Sequence, residues 1–80
     1  MTDFTPAQCR AARALLNWSQ GDLATPANVT RKTISDFEKG ARLPLETNLA
    51  AIKQTFEAAG VIFLSEGEAS TGGLGLRLKV

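Results

Sequence analysis

The residues in this chain that could carry chemistry are few, and they narrow the field at once. Among 80 residues there is no histidine and one cysteine, Cys9. No paired-carboxylate site, metal-ligand cluster or nucleophile beside an evident base can be assembled from the spacing, so an enzyme is the least supported class. The run Gly72-Gly73-Leu74-Gly75 is glycine-rich, but it lacks the Lys-Ser/Thr that follows in a phosphate-binding loop. It also precedes a strand pattern instead of a helix, and it reads as a hairpin loop. A lone thiol closes no intramolecular disulfide, and Cys9, at helical spacing with apolar neighbours, reads as a small buried hydrophobe over a redox group. No catalytic residue, metal site or cofactor is expected.

What remains is charge. Nine basic residues against eight acidic ones leave a net charge of +1, which does not suit a binder held by overall electrostatics. The distribution matters more than the sum. Between Thr30 and Arg42 the bases Arg31, Lys32, Lys39 and Arg42 face only Asp36 and Glu38. If Glu38 is neutralised internally, that surface is basic, and a local patch is enough to attract a phosphate backbone.

The elements that must position these groups can be read from caps and periodicity. Thr5, Pro6 and Gln8 form a capping box with proline at the first helical position. Cys9, Ala12 and Leu16 then recur on one face, with Leu15 broadening the stripe, and Asn17 ends the helix. Ser19 and Asp22 open a second helix with Leu23, Ala24 and Ala27 as its apolar face. Pro26 costs this helix a hydrogen bond and is expected to bend or shorten it, and Gly21 lowers its propensity. Asn28 tolerates the left-handed conformation and turns the chain. Val29 points inward, and Thr30 caps a third helix running to about Lys39, anchored by Ile34 and Phe37 and terminated by Gly40. Leu45, Leu49, Ile52, Phe56 and Ala59 define a fourth helix closed by Gly60. Beyond it the period changes. Val61 to Leu64 is an apolar strand-like run, Ser65 to Gly73 is loop, and Leu74, Leu76, Leu78 and Val80 alternate with Gly75, Arg77 and Lys79 as a half-buried strand.

This composition, 44% hydrophobic and 21% charged, is that of an ordinary globular chain. Eighty residues make one domain of marginal size, for which docking with a second copy is useful. The mixed-charge N-terminus does not read as a signal peptide, and no apolar run approaches the roughly 20 residues that span a bilayer. With a lone thiol, the cytoplasm is the expected compartment and no membrane partner is expected.

Two short helices joined by a tight turn, the second polar on its outer face, suit the major groove of DNA. That groove admits one helix, so the inward face must be apolar, as Ile34 and Phe37 provide, and the outward face polar, as Arg31, Lys32, Thr33, Ser35 and Asp36 provide. The run Arg13-Ala-Leu-Leu-Asn-Trp-Ser-Gln20, then Asp22-Leu-Ala24, then Val29-Thr-Arg-Lys-Thr-Ile-Ser-Asp-Phe-Glu-Lys-Gly40, resembles the Cro/phage-repressor (XRE) helix-turn-helix family. The resemblance covers roughly residues 6 to 60. It implies a mainly α fold, a compact four-helix lambda-repressor-like domain over 1–60 with its helix-turn-helix unit at about 19–39, followed here by a C-terminal β-hairpin over 61–80. It also implies a dimer on a palindromic operator.

The resemblance assigns residues as well. It pairs Arg13 with Glu38 as an architectural ion pair, for which a bidentate guanidinium suits a partly buried site. It sets Arg31, Lys32 and Ser35 at the start of the helix in the groove, although charged residues on an exposed helix are more often a solvated face. Arginine can reach guanine O6 and N7 together. Ser35 reads a base or is merely a small polar surface residue. Asp36 is better suited to a supporting role than to contact, given repulsion from phosphates. Gln20 matches the position where a side chain and a helix N-terminus meet a phosphate. Thr30, Lys39 and Arg42 are further phosphate candidates, Thr30 with a competing role as N-cap. Trp18 is expected in the core.

Proline at 26 and glycine at 21 depart from the family pattern, as does asparagine where the turn glycine usually stands. The expected function is a sequence-specific DNA-binding transcriptional regulator, a repressor acting as a homodimer on double-stranded DNA. The alternative is a helix-turn-helix fold that binds and inhibits another regulatory protein, antiactivator or antitoxin-like, with little DNA binding. Low net charge, Pro26 and an apolar tail able to add a strand to a partner favour the alternative.

Overall fold

In the computed structural model, which describes residues 4–64 and 75–78, the chain enters its first helix through the capping box. Thr5 Oγ1 accepts from the Gln8 N–H at 3.1 Å, and Gln8 Oε1 accepts from the Thr5 N–H at 3.0 Å. With two orphan donors satisfied and Pro6 needing none, helix α1 runs over Pro6–Leu16. The same device repeats eleven residues after Gln8, where Ser19 and Asp22 exchange hydrogen bonds of 2.9 and 3.0 Å and start α2 (Gln20–Ala27). Thr30 caps α3 (Arg31–Glu38) by accepting from the Thr33 N–H at 3.1 Å. Helix α4 (Glu46–Ala58) has no side-chain cap.

Three of the helices end in the same way. Asn17, Asn28 and Gly40 adopt positive φ of 57°, 58° and 74°. At each, the next residue donates back across the last turn: Trp18 to the Arg13 carbonyl, Val29 to the Ala24 carbonyl and Ala41 to the Asp36 carbonyl. These are Schellman closures, for which a left-handed residue is the geometric requirement. Pro26 lies in the last turn of α2, one residue before its end, so the helix is short, at eight residues, and takes the proline in without ending before it.

The core is drawn from all four helices. Phe37, Phe56, Leu23, Ile34, Ile52 and Cys9 are fully buried, joined by Ala12, Ala24, Ala27, Leu49, Val61 and Phe4. Each large apolar side chain removed from water contributes about 1.5–3 kcal/mol. Phe4 enters an aromatic cluster with Phe37, Phe56 and Phe63 at centroid distances of 5.6, 6.2 and 5.1 Å. Trp18, half-buried, stacks on Phe56 at 5.7 Å and packs on the core edge, as does Val29.

Three expected core positions are corrected. Leu15 is 46% exposed, because it lies about 120° around the helix from Cys9 and so outside the buried stripe. Leu45 is 74% exposed, because it precedes α4 as an extended cap residue and does not lie on its inner face. Ala59 is likewise exposed, at the helix end.

After Gly60 come two strands, β1 (Val61–Leu64) and β2 (Gly75–Leu78). They pair antiparallel, Val61 opposite Leu78 and Leu64 opposite Gly75. The expected loop from Ser65 to Gly73, with Leu74, Lys79 and Val80, lies outside the described residues. Among the described residues the fold is mainly helical, with four helices and a short C-terminal strand element.

Candidate nucleic-acid interface

The orientation of α3 is set by one carboxylate. Glu38, its last residue, is 5% exposed. Its Oε1 accepts from Arg13 Nη2 at 2.7 Å and Gln20 Nε2 at 3.2 Å, and its Oε2 accepts from Arg13 Nε at 2.7 Å and the Cys9 thiol at 3.1 Å. The Glu38 carbonyl accepts from the Arg10 guanidinium. Arg13 also donates to the Trp18 carbonyl at 3.1 Å, inside the turn between α1 and α2. One side chain thus ties α1, α2 and α3 together. Burial by itself raises the Glu38 carboxyl. Hydrogen bonds from Arg13, Cys9 and Gln20, with the charge of Arg13, outweigh that and hold it below the ordinary carboxylate range. The Arg13 guanidinium is raised by its hydrogen bonds to Glu38. Burial, then the hydrogen bond to Glu38, pushes the Cys9 thiol far above its ordinary range.

Turning Glu38 inward leaves the outer face of α3 basic. Ile34 and Phe37 are buried at 0% and 2% exposure, while Arg31 and Lys32 are exposed and Ser35 is half-buried. Arg31 and Lys32 occupy the first turn, which holds no acidic residue. Cations at the positive end of a helix run against its dipole by about 0.3–1 kcal/mol each. A local arrangement that opposes stability is where a function is sought, and free N–H groups with two cations form a focus for an anion.

Two open notches flank this helix. The first, of about 560 Å³, lies between the starts of α2 and α3 and brings together Arg13, Gln20, Arg31, Lys32 and Ser35, with Ser19 and Gly21. The second, of about 330 Å³, lies toward the chain leading into α4 and gathers Thr30, Lys32, Thr33, Asp36 and Arg42 beside Leu43, Pro44, Leu45 and Asn48. Lys32 lines both, so it stands on the crest between them. Its Nζ pairs with Asp36 at 3.2 Å, an exposed i,i+4 contact of small worth. Among the described residues, Arg31, Lys39 and Arg42 have no carboxylate within ion-pair distance. Lys39 is exposed at the C-terminal end of α3 and lines neither notch. The Thr30 hydroxyl serves the helix as its cap. The Gln20 amide is held on Glu38 and has a second N–H to offer.

A family model described as helix-turn-helix matches residues 10–57, from the middle of α1 almost to the end of α4. The chain belongs to the Cro/C1-type (XRE) helix-turn-helix family. No curated protein matches the chain. The family is one of DNA-binding helix-turn-helix regulators and is not typically enzymatic. No helix among the described residues is long and apolar enough to cross a membrane.

Three members of the Glu38 cluster were not legible from the sequence. Cys9 reads as a plain hydrophobe but donates its thiol to the carboxylate. Arg10 carries no signal beyond lying three residues before Arg13, one turn away on the same side of α1. The family resemblance points Gln20 outward, toward phosphate, whereas its amide also turns inward to Glu38.

Proposed function

We propose that this helix-turn-helix domain is a sequence-specific transcriptional repressor of the cytoplasm that acts as a homodimer on an operator in double-stranded DNA. The observation that carries the reading is α3, a helix buried along Ile34 and Phe37 whose first turn offers Arg31 and Lys32 to solvent at an unopposed positive end. Placed in the major groove, Arg31 and Lys32 contact base edges and Ser35 approaches them from the same notch. Gln20 at the start of α2, Thr30 at the start of α3, and Lys39 and Arg42 beyond it contact phosphates on either side. Arg13 and Glu38 stay out of the interface and hold the two helices at their angle. Residues 61–80 supply the dimerisation element, which sets two recognition helices about 34 Å apart, one turn of DNA.

A second reading, capture of another regulatory protein, is favoured by Leu43 and Leu45, which are 75% and 74% exposed beside α3. Titration of labelled duplex from upstream of the chain's own gene, followed by fluorescence anisotropy at several salt concentrations, separates the two. Saturable binding that rejects scrambled duplex and weakens steeply with salt supports the operator reading. A folded sample without preference between the two duplexes moves the assignment to the protein-binding reading.

A further inference from the structure

Gly21 is the second residue of α2, a position where a glycine weakens a helix. Its backbone is not the reason for it, because Gly21 is not among the residues with positive φ. The reason lies in the missing side chain. A Cβ built at Gly21 would stand 3.2 Å from Arg31 Cδ and 3.9 Å from Arg31 Cγ, with Ser19 Oγ at 3.7 Å. The stem of Arg31 therefore lies in the space the glycine leaves, across the notch between the starts of α2 and α3.

We infer that Gly21 is a specificity-determining, positioning residue: its bare backbone seats the stem of Arg31 against α2 and so aims the guanidinium along α3 toward one base pair. The inference rests on the proposed operator reading. An exposed arginine has many rotamers of similar energy, and a wall on one side of its stem removes some of them before DNA arrives. A methyl group at position 21 would push Cδ outward by a few tenths of an ångström. That displacement grows toward the guanidinium, two bonds farther on. A bidentate contact tolerates about 0.5 Å or 10–20° of misplacement, so a shift magnified at the guanidinium weakens the contact while the fold accommodates the change through a flexible side chain. Alanine also suits the helix better than glycine, so the change in reading is not a consequence of unfolding.

The test is a selection from a randomised duplex library with the wild-type chain, Gly21→Ala, Gly21→Ser, Arg31→Ala and the Gly21→Ala/Arg31→Ala pair, with thermal melting of each protein. An arginine–guanine contact discriminates by about 5- to 150-fold, and Gly21→Ala is expected to lower discrimination at that one base pair by at least about threefold. The affected position is expected to be the one that Arg31→Ala relaxes, Gly21→Ser is expected to act at the same position, and the double variant to match Arg31→Ala. If Gly21→Ala selects the wild-type motif, or weakens every position evenly, the inference is overturned and the operator reading stands. If the wild-type chain selects no motif, the operator reading falls and the inference falls with it.

Discussion

Glu38 receives hydrogen bonds from three side chains on two other helices, and its charge is held in a site that shows 5% of it to solvent. Such a group must be ionised to do its work. The carboxyl of the folded chain sits below its ordinary range, so on acidification the unfolded chain takes up this proton first, near its ordinary pKa of about 4.3. The contribution of Glu38 is therefore complete above about pH 4.3 and lost as the pH falls through the lower value of the folded state. Urea unfolding between pH 3 and 6 is expected to show that acid loss in the wild type and a flatter curve in Glu38→Gln, which has no proton to bind. Removing the partner is more severe. Arg13→Ala leaves a buried carboxylate unpaired and is expected to cost about 3 kcal/mol in urea denaturation at pH 7, a large part of the stability of a small domain. Cys9, buried in the same cluster with a raised thiol, is expected to resist alkylation at pH 8 until the domain unfolds. Labelling at a rate independent of urea below the unfolding transition would contradict that.

At the scale of elements, the helix-turn-helix is made by caps and closures more than by helix propensity. Helices α2 and α3 have eight residues each, too few to persist alone in water, and each is bounded by a side-chain cap in front and a left-handed residue behind. Asn28 makes the turn where glycine is usual in the family, and it does so with the same Schellman hydrogen bonds that Gly40 makes at the end of α3. Pro26 is the weak point of α2. Its ring has no N–H for the Asp22 carbonyl one turn earlier, and it is exposed. Pro26→Ala restores that donor and is expected to stabilise the domain by about 1 kcal/mol, read as a rise in the melting temperature. An unchanged or lowered melting temperature would mean that the place of the ring in the notch it lines with Trp18, Ala51 and Thr55 outweighs the missing bond.

At the scale of the whole molecule, a net charge of +1 is compatible with a cationic face because the acidic residues are unevenly used. Glu38 is turned inside and Asp36 is paired with Lys32, which leaves Arg31, Lys39 and Arg42 to set the field around α3. On the proposed function, phosphate and base contacts separate in their salt response. Arg42→Ala is expected to weaken binding to every duplex alike and to lower the slope of log K against log salt by about 0.9. Arg31→Ala is expected to relax the preference for one base pair. Equal losses on every duplex from both variants, measured by anisotropy at three or more salt concentrations, would contradict that division.

What the sequence determined by itself was local. The Thr5–Gln8 and Ser19–Asp22 boxes, the Asn17, Asn28 and Gly40 closures and the Ile34–Phe37 inner face depend on residues within a turn or two of each other, and hydrogen bonds at that range are specified by residue type and spacing. The tertiary structure decided what depends on directions in space. It buried Phe4 among Phe37, Phe56 and Phe63, exposed Leu15 and Leu45, and added Cys9, Arg10 and Gln20 to the expected pair of Arg13 and Glu38. It also laid the stem of Arg31 across Gly21. Periodicity says which side of a helix is apolar, but only the packing angle between helices says which polar atoms then fall within 3 Å of each other. On the proposed function, in which one short helix reads the DNA, that angle carries the geometry of the interface.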